Sequence, residues 1–149
     1  MKKTKFKKNE ISKISKKLTS KILKMKNKKA RVVAFSGDLG AGKTTLTQEL
    51  AREFGIKDTV ISPTFVIMKA YDIHPSSLYY EHFKRLVHID AYRLDSHLEL
   101  FKIGWTEIQN DKDNLIIIEW PEKVKKCLEN DALWVKLDHI DDETRGLKY

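Results

Sequence analysis

Cysteine, proline and glycine are scarce in this 149-residue sequence, at one, three and six residues respectively. The single thiol, Cys127, excludes an internal disulfide and any zinc site built from cysteines, and it suits a reducing cytosol as an inert helix residue. So few prolines and glycines, beside 41% hydrophobic and 34% charged residues, exclude collagen-like and low-complexity chains and describe a folded domain. Long apolar runs are missing as well. Nothing approaches a membrane span, and the early lysines continue without the apolar stretch that a secretory leader needs. These absences lead us to expect one cytoplasmic domain with no membrane partner.

Acidic residues are missing from one end only. Residues 1–29 hold thirteen lysines and the single acid Glu10, a net +12, which leaves −4 for the other 120 residues of a chain whose total is +8. A basic segment on a nearly balanced domain suits contact with nucleic acid, acidic protein or phospholipid head groups. Lysines alone carry no sequence information, so a merely solvated surface is the alternative. We divide the chain into a basic tail, residues 1–8, and a single domain, residues 9–149. Behind a candidate Asn9 cap, Ile11, Ile14, Leu18, Ile22 and Met25 recur at helical spacing, which predicts an amphipathic helix packed on the domain.

"RVVAFSG" reads as a buried strand and residues 43–54 as a helix that Gly55 ends. Further strands are predicted at residues 64–71, 85–90, 115–119, 133–138 and 144–148, and helices at 96–103 and at 121–128, where Pro121 suits a first turn. Residues 74–84 read as a loop. Strands separated by helices predict an α/β layered domain of P-loop type, and the adjacent strands between residues 64 and 90 predict a mixed sheet flanked by helices.

The run Gly37, Asp38, Leu39, Gly40, Ala41, Gly42, Lys43, Thr44 matches G-x-x-x-x-G-K-[ST] between that strand and that helix. Backbone amides from Gly40 to Thr45 can wrap phosphate oxygens at the positive end of a helix, with glycine where a Cβ would obstruct the anion. Lys43 then reaches the β and γ phosphates, and the Thr44 hydroxyl is placed for Mg²⁺. Asp38 either braces the turn or holds a water, and the brace is the simpler role.

A magnesium nucleotide site also needs carboxylates at strand ends. "LVHIDAYRL" supplies Asp90 and "LIIIEWPE" supplies Glu119, and spacing does not tell which ligates the metal and which orients water. "NDKD" at 110–113 has its lysine one place late for guanine recognition, so ATP is the expected nucleotide. Arg52, Arg85, Arg93 and Arg145 do not cluster as the lid of a small-molecule kinase would, which weakens that alternative. His82, His88 and Asp90 lack a fourth ligand, and His88 reads as a strand residue.

The succession "SGDLGAGKTTLTQELAREFGI", "ISPTF", "HIDAYRL" and "IEWPE" resembles the TsaE (YjeE) family, the ATPase component of the bacterial tRNA threonylcarbamoyladenosine system, over nearly the whole chain. The resemblance implies an ATP hydrolase whose phosphates lie on Gly37 to Thr45, with Mg²⁺ at Thr44. It implies a switch-like segment carrying Ser62 and Thr64, acidic active-site positions at Asp90 and Glu119, and an aromatic neighbour at Trp120. Lys43, Asp90 and Glu119 are then the expected catalytic residues, with both carboxylates as candidate metal ligands. It also implies TsaD and TsaB as protein partners and tRNA as an indirect one. A nucleotide-gated RNA-binding module using the lysine arm is the remaining alternative. Two stretches depart from the family pattern: the lysine-rich start and the inserted "HPSSLYYEHFKR".

Overall fold

The computed structural model describes residues 3–26 and 28–149. Its strands are β1 (Lys3–Lys7), β2 (Arg31–Ser36), β3 (Met68–Asp72), β4 (Arg85–Asp90), β5 (Asn114–Glu119), β6 (Leu133–His139) and β7 (Thr144–Lys148). Its α-helices are α1 (Ile11–Lys24), α2 (Lys43–Glu53), α3 (Glu99–Lys102) and α4 (Trp105–Asn110), with 3-10 turns at Lys8–Glu10 and Pro121–Cys127. The strands form one sheet in the order β1-β7-β6-β2-β5-β4-β3.

Residues that are apolar without alternation make the centre. β2, β4 and β5 read RVVAFS, RLVHID and NLIIIE, and they pair in parallel, buried on both faces as parallel strands must be. β6 continues the parallel set beside β2, while β7, β1 and β3 add antiparallel edges. Side chains alternate between faces. Leu115 and Ile117 of β5 meet Leu18, Ile22, Leu46 and Leu50 from α1 and α2, whereas Ile116 and Ile118 meet Leu100, Trp105 and Val124 on the other side. The result is a three-layer α/β domain with a mixed sheet. Its parallel strands end together, and their register sets Asp90 opposite Glu119 and Glu119 opposite Phe35, one residue before β2 ends.

Five expectations need correcting. The segment read as a tail contributes β1, because Phe6 is buried and Lys3 to Lys7 pair with β7. The strand expected from residue 64 begins at Met68: the Pro63 carbonyl accepts hydrogen bonds from the amides of Val66 (3.1 Å) and Ile67 (2.6 Å), curling residues 63–67 into turns. The helix expected at 96–103 shrinks to α3 and is followed by α4, since Gly104 adopts φ +91 between them. Pro121–Cys127 winds as 3-10 helix, interrupted at Val124, and α1 starts at Ile11 with Asn9 in the preceding 3-10 turn. There the Glu10 carboxylate accepts the Lys7 amide at 2.9 Å, which holds the Glu10 pKa below its ordinary value.

Candidate functional site

The glycine-rich motif forms the turn from β2 into α2. Gly37 has φ +138, and a Cβ there would stand 2.3 Å from the Leu137 carbonyl oxygen, so no other residue fits. Gly42 at φ +102 is the residue from which α2 springs, and the free amides and positive dipole end of that helix face the loop. Lys43 folds back across the loop, its Nζ donating to the carbonyl oxygens of Gly37 (2.7 Å) and Asp38 (2.9 Å). The ammonium also lies 4.1 Å from the centre of the Trp120 ring. Burial lowers the Lys43 pKa from the ordinary lysine value, while Glu119 and Asp90 favour the charged form.

Two hydroxyl–carboxylate pairs face this lysine. The Thr44 hydroxyl donates to Glu119, lying 2.9 Å from Oε1 and 3.1 Å from Oε2. His88, fully buried in β4, places Nε2 2.8 Å from the same Oε1. An ionised carboxylate can only accept, so His88 donates from Nε2 and its buried Nδ1 is left without a hydrogen-bond partner among the described residues. In the second pair the Thr64 hydroxyl donates to Asp90 Oδ2 at 2.7 Å, and the Tyr92 amide donates to Oδ1 at 2.9 Å. Thr64 has spent its proton, so the Ser62 hydroxyl, 2.7 Å away, donates to it.

The backbone is strained where these pairs are displayed. Trp120 and Ile67 are the non-glycine residues with positive φ among the described residues, at +59 and +68. The Trp120 amide donates to the Phe35 carbonyl at 3.2 Å, which ties the end of β5 to β2 and aims the indole at Lys43. Ile67 returns its carbonyl to the Asp90 amide at 2.8 Å, fixing the segment of Ser62 and Thr64 against β4.

Leu39, Thr45, Ser62, Thr64, Asp90, Glu119 and Trp120 are among the residues lining a polar cavity of about 230 Å³ over the loop. On the other side of the loop a more apolar hollow of about 270 Å³ shares Gly40, Gly42 and Thr45 and is walled by Phe6, Ile11, Leu137 and Arg145. Sequence reasoning missed this hollow, because β1, α1, β6 and β7 are remote from the P-loop along the chain.

The family profile described as "Threonylcarbamoyl adenosine biosynthesis protein TsaE" matches residues 7–147. The chain belongs to the TsaE family. It is 36% identical over 127 residues to the tRNA threonylcarbamoyladenosine biosynthesis protein TsaE of Haemophilus influenzae, covering 85% of this chain and 75% of that one. It is 38% identical over 113 residues to the protein of the same name from Streptomyces coelicolor, covering 76% and 72%. The crystal structure of Bacillus subtilus YdiB superposes with a TM-score of 0.63 at 28% identity, covering 98% of this chain and 83% of that one.

In this TsaE chain Lys43, Thr44, Thr45, Ser62, Thr64, Asp90, Glu119 and Trp120, with Leu39, Gly40 and Gly42, converge on the polar cavity. Gly37 lies beneath the loop against Leu137, and Ala41 is buried toward the apolar hollow. Asp38 braces the turn through its backbone carbonyl, which accepts from the Ala41 amide at 3.1 Å. Among the described residues no group of three or more His, Cys, Asp and Glu could hold a metal ion, which removes the trio His82, His88 and Asp90. No described helix is long and apolar enough to cross a membrane. Arg52 pairs with Glu49 on α2, Arg85 lies by Asp72 near the sheet edge, Arg93 stacks on Phe65, and Arg145 in the apolar hollow donates to the Asp141 and Thr144 carbonyls, so these four do not cluster as a lid. Sequence reasoning also passed over the contact of His88 on Glu119; its signal was a histidine among apolar residues, two before Asp90.

Proposed function

We propose that this TsaE-family protein hydrolyses ATP to drive the cycle of a TsaD–TsaB complex that installs threonylcarbamoyl on tRNA adenosine. The observation that carries the reading is the pairing of Thr44 with Glu119 at the start of α2 beside the pairing of Thr64 with Asp90, both facing one cavity with Lys43.

The donor set fits a magnesium nucleotide. Mg²⁺ keeps several waters and takes only one or two protein carboxylates plus phosphate oxygens. Thr44 and Glu119 would hold it, and when bound it neutralises charge on the transferring phosphate. Lys43 exchanges its two loop carbonyls for phosphate oxygens, so its ammonium is already in place before ATP arrives. His88 fixes the rotamer of Glu119 as a positioning residue. Asp90, held at both oxygens, is available to orient the attacking water, and the Thr64 hydroxyl senses the γ phosphate. The apolar hollow beyond Gly40 is suited to the base.

Exposed Leu39, Ile61, Phe65, Val66 and Tyr92 belong to the loops around the cavity mouth, an apolar surface that suits a protein partner. With no arginine cluster over the mouth, turnover by the protein alone is slow, and a partner that covers the mouth accelerates it. The test follows γ-labelled ATP: label recovered as free phosphate, and lost in Thr44→Ala and Glu119→Ala, supports hydrolysis. Label on a small metabolite would establish a kinase instead.

A further inference from the structure

Outside the nucleotide site, the most one-sided surface is the outward face of α1. Ile14, Leu18 and Ile22 point into the core, and Lys13, Lys17, Lys21 and Lys24 recur every three or four residues away from it with Lys16 beside them, all exposed. The helix contains no acid. At 1.5 Å per residue the stripe runs roughly 16 Å. Of its five lysines, only Lys13 has an ion pair among the described residues, with Glu10 at 3.6 Å; Lys21 lies 4.5 Å over the Tyr149 ring.

The stripe leads into an open hollow lined by Lys24, Lys26, Lys28 and Arg31. Arg31 is clamped there: its Nε donates to the Met25 carbonyl at 3.1 Å, and its guanidinium sits 4.8 Å from the Phe83 ring centre. Its Nη1 is buried and has no hydrogen-bond partner among the described residues. Like charges three and four residues apart weaken a helix, and Lys16, Lys17 and Lys24 have no ion pair among the described residues to offset this. The clamped guanidinium holds a fixed positive charge at the end of the lysine row.

We propose that this face binds the phosphate backbone of RNA, with tRNA as the RNA; the choice of tRNA rests on the function proposed above. A protein partner is disfavoured, because protein interfaces are poor in lysine, whereas α1 presents five here and apolar side chains enter only at Leu23 and Met25 in the hollow. A membrane is disfavoured because the apolar side of α1 is packed in the core. A phosphodiester chain needs only cations along its path.

The test is fluorescence anisotropy of labelled tRNA across a salt series, with the full chain and with Lys16, Lys17, Lys21 and Lys24 all changed to Gln, a residue that keeps helix propensity. Each phosphate contact contributes roughly 0.7–0.9 to the slope of log affinity against log salt. The quadruple variant should lose roughly 3 from that slope and at least about tenfold in affinity at low salt. Arg31→Gln should weaken binding with a slope change of roughly 1. An absence of tRNA binding at about 50 mM salt overturns the proposal. So does an unchanged slope in the quadruple variant, or preferential binding of polyglutamate. Equal affinity for duplex DNA overturns the assignment to RNA. ATP-induced thermal stabilisation is measured on the same samples: its persistence beside failed tRNA binding overturns this face alone, whereas its loss from the unaltered protein removes the reading on which tRNA was chosen.

Discussion

Lys43 is 5% exposed, donates to two loop carbonyls and lies against Trp120, whereas Lys16, Lys17 and Lys24 reach into solvent from a helix whose other side packs on the core. Both regions are cationic and both suit phosphate, but by different physics. A buried, pre-positioned ammonium acts through short charge-assisted hydrogen bonds in a sheltered cavity, where geometry decides. An exposed row acts by number and by counterion release, where spacing is forgiving and salt decides. One lysine can therefore matter more to chemistry than the whole basic surface, while the surface governs the net charge.

That contrast can be broken most directly at Lys43. Lys43→Ala should lower ATP hydrolysis by roughly two to three orders of magnitude, with melting little changed. A residual rate within tenfold would mean that the ammonium is not the anchor. Gly37→Ala comes next, as a test of the backbone beneath the cradle. A methyl 2.3 Å from the Leu137 oxygen should cost about 2–4 kcal/mol, seen as a fall in melting temperature of roughly 5–10 °C.

His88 tests whether the carboxylates are as tightly held as the lysine. His88→Leu removes the donor to Glu119 Oε1 and should raise the Mg²⁺ concentration for half-maximal hydrolysis about 10-fold or more, while His88→Gln, whose amide can replace Nε2, should restore most of it. Equal defects in the two variants would point to core packing instead. The smallest effect is expected on the other side of the comparison: glutamines at Lys16, Lys17, Lys21 and Lys24 should leave ATP hydrolysis without RNA within about twofold, as exposed charges interact weakly at physiological ionic strength.

Much of this was legible in the sequence, for a physical reason. The P-loop is a local object, Gly37 to Thr45 spanning only eight positions, and β2, β4 and β5 are short apolar runs whose burial leaves no choice of face. Asp90 and Glu119 stood out because each ends such a run, and parallel register then brings them together. What escaped was non-local. β1 has one large apolar residue, Phe6, and exists because β7 returns beside it from the far end of the chain. The start of β3 was displaced by turns around Pro63, a choice made by backbone hydrogen bonds that hydrophobic pattern does not encode. His88 looked like one more buried strand residue until Glu119 was found 2.8 Å away across 31 positions.

The account turns on hydrolysis at the Lys43 cavity that a partner completes. Its most direct test is free-phosphate release from ATP by the purified protein, alone and then with the TsaD–TsaB pair of the same cell, adding tRNA last. We predict a slow rate alone, a marked rise with the pair, and no rise for Lys43→Ala. An unaltered rate with the pair, together with failure to bind it, would contradict the account.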